Sequence, residues 1–410
     1  MKVIGVADSD SYLKWGASLL ERMPADWHRR LLILRTPALP SRSQVAAALA
    51  GTRFTDPTHL DFADVTTLIQ QERPDVVLVS LRGPVVRVVV RAILAAGEPR
   101  PVMLSGLPGI SVPETLNAIY YRSQADLLVL HSRREVRSFR GLAERLGVRQ
   151  RFVLASLPFL SAAPVDAGAG TDIVFAAQAI VPRTRADRES VLDGLLATAR
   201  AQPDRRVVLK LRGRAGEAQT HQERHPYDTM LAERADVPPN LVVSTGPMSE
   251  ALRAAGALVT VSSTAAIEAA AAGVPVLAID DFGVRARLIN VVFEGSGLLG
   301  PLSDAALGRF RTAPRAWLED NYFHDRAEED WLPALREAVA LRDAGRLPVR
   351  PQFRGRLGGG LRRSWDRKIA LGPYDRSWDG RLALAVGYPL REAVRAMRRA
   401  QARVRRREGV

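Results

Sequence analysis

The sequence predicts an α/β protein of two doubly wound parallel-sheet domains in tandem, followed by a basic helical tail. Three observations carry this. Short apolar runs alternate with helical patterns over residues 1–160. A stretch of small turn formers, Ser161 to Gly170, then interrupts the pattern. The same alternation resumes from residue 172. Continuously apolar strands separated by helices mark a parallel sheet covered on both faces.

In the first half, Lys-Val-Ile-Gly-Val-Ala at 2–7 reads as the opening strand. Further strands are expected at 30–35, 75–80, 101–105, 126–130 and 151–154, each a compact apolar run such as Asp-Val-Val-Leu-Val-Ser. Helices fill 11–22, 42–50, 63–72, 84–96, 113–122 and 133–146. In the second half, strands are expected at 172–176, 206–211, 240–243, 257–261 and 274–279, with helices at 186–201, 226–234, 248–255 and 264–272. The expected domains are 1–160, 171–345 and a tail at 346–410, with 161–170 as linker. Beyond residue 300 the pattern turns helical and aromatic, and one or more helices there closes the second domain or crosses back to the first. Ligands of open parallel sheets sit beyond the carboxyl ends of the strands, so two such domains imply a cleft between those ends.

The chain has 410 residues and no cysteine, which excludes disulfides, thiolate nucleophiles, zinc fingers and iron–sulfur clusters. Its start reads as a strand and not as a signal peptide, and it has no apolar run of 18 residues, so a cytoplasmic protein is expected. The net charge is +15, and residues 351–410 supply +11 of it through 16 Arg or Lys against 5 Asp or Glu. Here Gly358 to Gly360 form a joint. Trp365, Tyr374, Trp378 and Tyr388 lead to a basic amphipathic ending, Leu390 to Arg407. Such a tail suits an anionic membrane surface, and peripheral association with the inner face is expected. It would serve equally as a solvated helix packed on the body. Nucleic acid is not the expected partner, because no helix-turn-helix, RNA-binding or OB-type pattern accompanies the charge.

The most informative stretch runs from Val259 to Ala278. It reads strand, polar turn (Ser262, Ser263, Thr264), alanine-rich helix with Glu268 one turn in, a stop at Gly273, then Pro275 and a strand. Hydroxyls at the opening of a helix, with free N–H groups and the helix dipole, suit a phosphate. Glu268 is placed to bind ribose hydroxyls or to tie down the turn. The same three residues would also serve as a plain helix cap.

This layout resembles the donor-binding segment of GT-B glycosyltransferases, with two Rossmann-like domains facing a cleft. It looks most like bacterial capsule and surface-polysaccharide sugar transferases. UDP-N-acetylglucosamine 2-epimerases have a similar segment. Fainter similarity over residues 1–300 includes Ala7 to Trp15, Pro108 to Ser111, Tyr121 to Asp126, His131 to Glu135 and Phe175 to Gln178. Together these look like an actinobacterial family labelled as glycosyltransferases. The resemblance implies a nucleotide-sugar donor (UDP-, CMP- or other), a glycan or lipid-linked acceptor in the cell envelope, and no required cofactor or metal.

Candidate donor-binding residues are Ser262, Ser263, Thr264, Glu268, Lys210, Arg212, His221 and Gln178. Lys210 and Arg212 leave the carboxyl end of a central strand, where cations suit phosphate. His221 and His225 are alternatives for the histidine that such transferases carry near this point, and either fits a surface loop. An inverting transferase needs a base for the acceptor hydroxyl. Asp10 is the first candidate and Asp8 the next, both after the first strand. Asp10 or Ser11 could instead cap the following helix. His131 and Glu135 are rivals at a similar height. Pro108 to Ser111 is expected to be a loop of close approach at the cleft. Asp280 and Asp281 suggest a metal as a bare pair, but transferases of this fold hold the leaving diphosphate with protein groups. The alternative functions are a UDP-sugar 2-epimerase or a non-catalytic nucleotide-sugar or nucleic-acid binding protein.

Overall fold

A computed structural model describes residues 1–157, 160, 170–211, 223–353 and 359–407. Most of the expected linker, together with Arg212 and His221, lies outside the described residues.

The first sheet has seven parallel strands: β1 (Lys2–Ala7), β2 (His28–Leu34), β3 (Thr58–Leu60), β4 (Val76–Ser80), β5 (Val102–Gly106), β6 (Leu127–Leu130) and β7 (Arg151–Leu154). Their order is β3-β2-β1-β4-β5-β6-β7. The second sheet contains β8 (Asp172–Ala176), β9 (Val207–Lys210), β10 (Leu241–Ser244), β11 (Ala255–Thr260), β12 (Val276–Ile279) and β13 (Leu299–Gly300). It is ordered β10-β9-β8-β11-β12-β13, again all parallel. Two edge strands, β3 and β13, have no counterpart in the sequence expectation. They are three and two residues long, too short to carry a pattern.

Each sheet is covered on both faces, as the continuous apolar runs require. Along β1, Val3 and Ala7 pack with Leu13, Trp15 and Leu19 of the helix Asp10–Glu21, while Ile4 and Val6 pack with Val86, Val89 and Ile93 of Gly83–Ala95. Along β8, Ile173 and Phe175 face Val191, Leu192 and Leu195 of Arg185–Ala201, while Val174 and Ala176 face Ala266 and Ile267.

The chain crosses back near its end. In the helix Trp331–Asp343, Trp331, Leu335, Ala338 and Val339 are buried on the first sheet's face beside Leu19 and Leu78. This helix falls within the 171–345 range expected of the second domain, but its apolar stripe completes the first half's core. Two tail helices follow, Gly359–Leu371 and Trp378–Arg407. No helix among the described residues is long and apolar enough to cross a membrane.

Candidate active site

In both sheets the strand order reverses beside the first strand, and ligands bind at such a switch point. In the second sheet it lies between β8 and β11. Gln178 follows β8 and Ser262 follows β11. The Gln178 Oε1 accepts from the Ser262 N–H at 3.0 Å and from its hydroxyl at 3.1 Å. Thr260 Oγ1 accepts from the Ser263 N–H at 3.2 Å, and Ser263 Oγ accepts from the Ala265 N–H at 3.2 Å. Gln178 and Ser262 therefore build the turn. Ser263 and Thr264 stay partly exposed at the start of the helix Ala265–Ala271.

Glu268 lies one turn further on and is partly buried. No hydrogen bond from the described residues reaches its carboxylate. Burial raises its pKa above the ordinary carboxylate value, opposed by the charge of Lys14 from the first half. Lys210, at the end of β9, is buried and donates to the Leu211 carbonyl at 2.5 Å. Of the candidate donor residues described, Ser262, Ser263, Thr264, Glu268 and Gln178 gather at one switch point, and Lys210 ends the neighbouring strand.

The first half closes over this turn. A Cβ added at Gly109 would stand 3.0 Å from Thr264 Cγ2, so the loop after β5 meets the turn after β11. The expected close approach of residues 108–111 is seen here. Lys14 lies on the same helix as Asp10, one turn on.

The candidate bases separate clearly. Asp8 sits at the first sheet's own switch point and is fully buried. Its carboxylate accepts from Arg82 Nε at 2.8 Å and from the Arg82 N–H at 3.0 Å. Arg82 also donates to Thr36 Oγ1 at 3.1 Å. Both Asp8 oxygens are committed, so a base role there is corrected to an anchoring one. Asp10 is half-buried in the first turn of its helix. The N-cap position is Ser9 and not Asp10 or Ser11, and its side chain makes no capping bond.

His131 is also corrected. It is fully buried, and Nε2 accepts from the Trp15 indole at 2.7 Å while Nδ1 donates to the Ala155 carbonyl at 2.8 Å. Burial pulls its pKa from 6.5 down to about 4, so the ring is neutral. A depressed histidine supplies stability above 6.5 that is lost as the pH falls through about 4. The loss amounts to about 3 kcal/mol. Urea unfolding at stepped pH should show that decline, and His131→Gln should flatten it.

Glu135 is likewise structural. Its fully buried carboxylate accepts from the His131 N–H at 2.8 Å, the Ser111 N–H at 2.9 Å and the Tyr322 hydroxyl at 2.7 Å. Tyr322 belongs to the second half's core, so this bond joins the halves. Arg134 adds a second tie, donating to the Val292 and Val291 carbonyls at 2.9 and 3.2 Å.

Sequence reasoning missed Arg188. It is buried and donates to the carbonyls of Gln178, Ala179, Pro182 and His225, and it also pairs with Glu223. It thus fixes the loop that presents Gln178. The available signal was a charge standing in the apolar stripe of its helix, ahead of Val191 and Leu192. Asp281 accepts from the Leu302 N–H at 2.8 Å and shapes its own loop.

The S. aureus MnaA–UDP co-structure superposes with TM-score 0.51 at 13% identity, covering 85% of this chain and 97% of that one. A UDP-N-acetylglucosamine 2-epimerase gives TM-score 0.51 at 14% identity, covering 86% and 98%. A. baumannii MurG superposes with TM-score 0.43 at 13% identity, covering 84% and 99%. The first two share the fold. No curated protein matches in sequence. A family model described as "Putative glycosyltransferase (DUF6716)" matches residues 3–338, most of the chain and both sheets. That match spans both Rossmann-like sheets, and the chain belongs to that family of putative glycosyltransferases.

Proposed function

We propose that this protein is an inverting glycosyltransferase that moves a sugar from a nucleotide-sugar to a cell-envelope or surface-polysaccharide acceptor. The observation that carries the reading is Glu268: a partly buried carboxylate that no donor among the described residues reaches, beside an open hydroxyl turn at the sheet's switch point. A ribose diol would supply the missing donors. The Ser263–Thr264 turn and Lys210 would hold the leaving phosphate with hydroxyls, N–H groups and charge. MnaA, which shares the fold, is solved with UDP, and this supports a nucleotide ligand. UDP- and CMP-sugars both fit this chemistry.

Asp10 is the proposed base. It takes the proton of the acceptor hydroxyl as that oxygen attacks the anomeric carbon and the nucleotide leaves. The reading assigns no role to a metal. The basic tail gives the enzyme a route to a lipid-linked acceptor at the cytoplasmic face of the membrane.

The fold neighbours that are epimerases support a second reading, a UDP-sugar 2-epimerase. Incubation with UDP-N-acetylglucosamine alone separates the two. A transferase leaves C2 unchanged by proton NMR and consumes donor only with acceptor. Appearance of the C2 epimer without acceptor would sink the transferase reading.

A further inference from the structure

The tail is not a loose appendage. Ala370 and Leu371 of the helix Gly359–Leu371 are buried with Val85, Val86 and Val89 of the first half. Arg367 locks the turn that follows, donating to Asp375 at 3.0 Å and to Asp379 at 2.7 Å, and Ser364 donates to Asp379 at 2.7 Å. The next helix, Trp378–Arg407, turns back on it through its smallest residues. A Cβ at Gly387 would lie 2.3 Å from the Trp365 ring, and Gly380 and Ala383 are buried. The two helices form a hairpin docked on the protein.

Its outer face is apolar. Trp378, Leu382 and Val386 recur every four residues, away from the glycine face, and are 75%, 50% and 48% exposed. Tyr374 and Tyr388 are exposed beside them. Of the twelve exposed large hydrophobic residues described, eight fall between 361 and 397. Exposed Arg362, Arg363, Arg376, Arg381 and Arg391 surround them. Pro389 then interrupts the helix hydrogen bonding, and the arginine-rich ending follows. Aromatic residues over an aliphatic stripe, rimmed by arginine, match the interface of an anionic bilayer. The same rim sets like charges against each other if a second copy is apposed. The hairpin turn also borders a cavity of about 680 Å³ lined by Arg35, Asp61, Phe62, Arg367, Tyr374 and Arg376. Arg35 and Asp61 follow β2 and β3, so a bilayer under the hairpin would lie along the acceptor side of the first sheet.

Resting on the proposed membrane-bound acceptor, we propose that this hairpin is a pre-folded wedge that inserts Trp378, Leu382 and Val386 into the headgroup layer of an anionic membrane. The arginine ending adds the second, electrostatic signal that stable anchoring needs.

The test is co-sedimentation of the full chain with phosphatidylcholine vesicles containing phosphatidylglycerol, together with quenching by brominated acyl chains. Four of the six tryptophans are buried and Trp365 is half-buried, so quenching reports Trp378. The expected result is binding with quenching that Trp378→Phe removes. Trp378→Asp with Leu382→Asp should weaken binding at least tenfold while the melting temperature in solution holds. Binding that survives the double variant, without quenching, would place contact in residues 390–410 and overturn the wedge while the membrane reading stands. No vesicle binding by the full chain would overturn both. A dimer by light scattering that the double variant dissociates would assign the face to a second copy and overturn the wedge.

Discussion

With Ser263 and Glu268 both replaced by alanine, the protein should fold normally and lose all thermal stabilisation by UDP or a UDP-sugar. A ligand present at a hundredfold over its dissociation constant stabilises a protein by about 2.7 kcal/mol. That whole increment should vanish. The unliganded protein should be little affected, because two effects oppose each other. Ser263 Oγ accepts from the Ala265 N–H, and losing such a hydrogen bond costs about 1 kcal/mol. Glu268 is a desolvated carboxyl that no donor among the described residues reaches, so its removal relieves a desolvation cost. Its raised pKa fixes the sign with pH. Ionisation costs stability as the pH rises above 4.5, and the variant lacks that cost. Differential scanning fluorimetry with and without nucleotide, at several pH values, measures all of this. A shift that survives the double replacement would place the donor elsewhere.

Glu135→Ala should have the opposite signature: a large loss of stability whether or not nucleotide is present. The replacement strands three donors, the buried N–H of His131 and hydroxyl of Tyr322 and the partly buried N–H of Ser111. Each unsatisfied group costs about 1–3 kcal/mol. Some of that is offset because the carboxyl itself is held in a desolvated place that raises its pKa. A net loss of about 4 kcal/mol is expected by urea unfolding. Tyr322→Phe alone should cost about 1 kcal/mol, and the two changes should be non-additive because they share one bond. Additive losses would mean that the two groups do not act together. Ser111 sits two residues from Gly109, so the weakened loop should also lower activity.

The two carboxylates explain what the sequence could and could not reveal. The sheets were legible because apolar runs report burial on both faces, and the alternation of runs and helices reports parallel pairing. The polar turn after β11 was legible because its residues are contiguous, from Ser262 to Glu268. The anchoring of Glu135, Asp8 and His131 was not. Each depends on partners far along the chain: Tyr322 for Glu135, Arg82 for Asp8, Trp15 for His131. A polar residue at a strand's carboxyl end looks the same in sequence whether or not a distant part of the chain binds it. The crossing back of Trp331–Asp343 was open for a similar reason. An apolar stripe states that a helix is buried but does not name the sheet that buries it.

The most direct test of the account is a crystal structure of the protein with UDP. The account predicts the diphosphate at the Ser263–Thr264 turn, the ribose within hydrogen-bond distance of Glu268, and the nucleotide covered by the Gly109 loop. UDP bound away from that turn, with Glu268 touching no ligand atom, would contradict it.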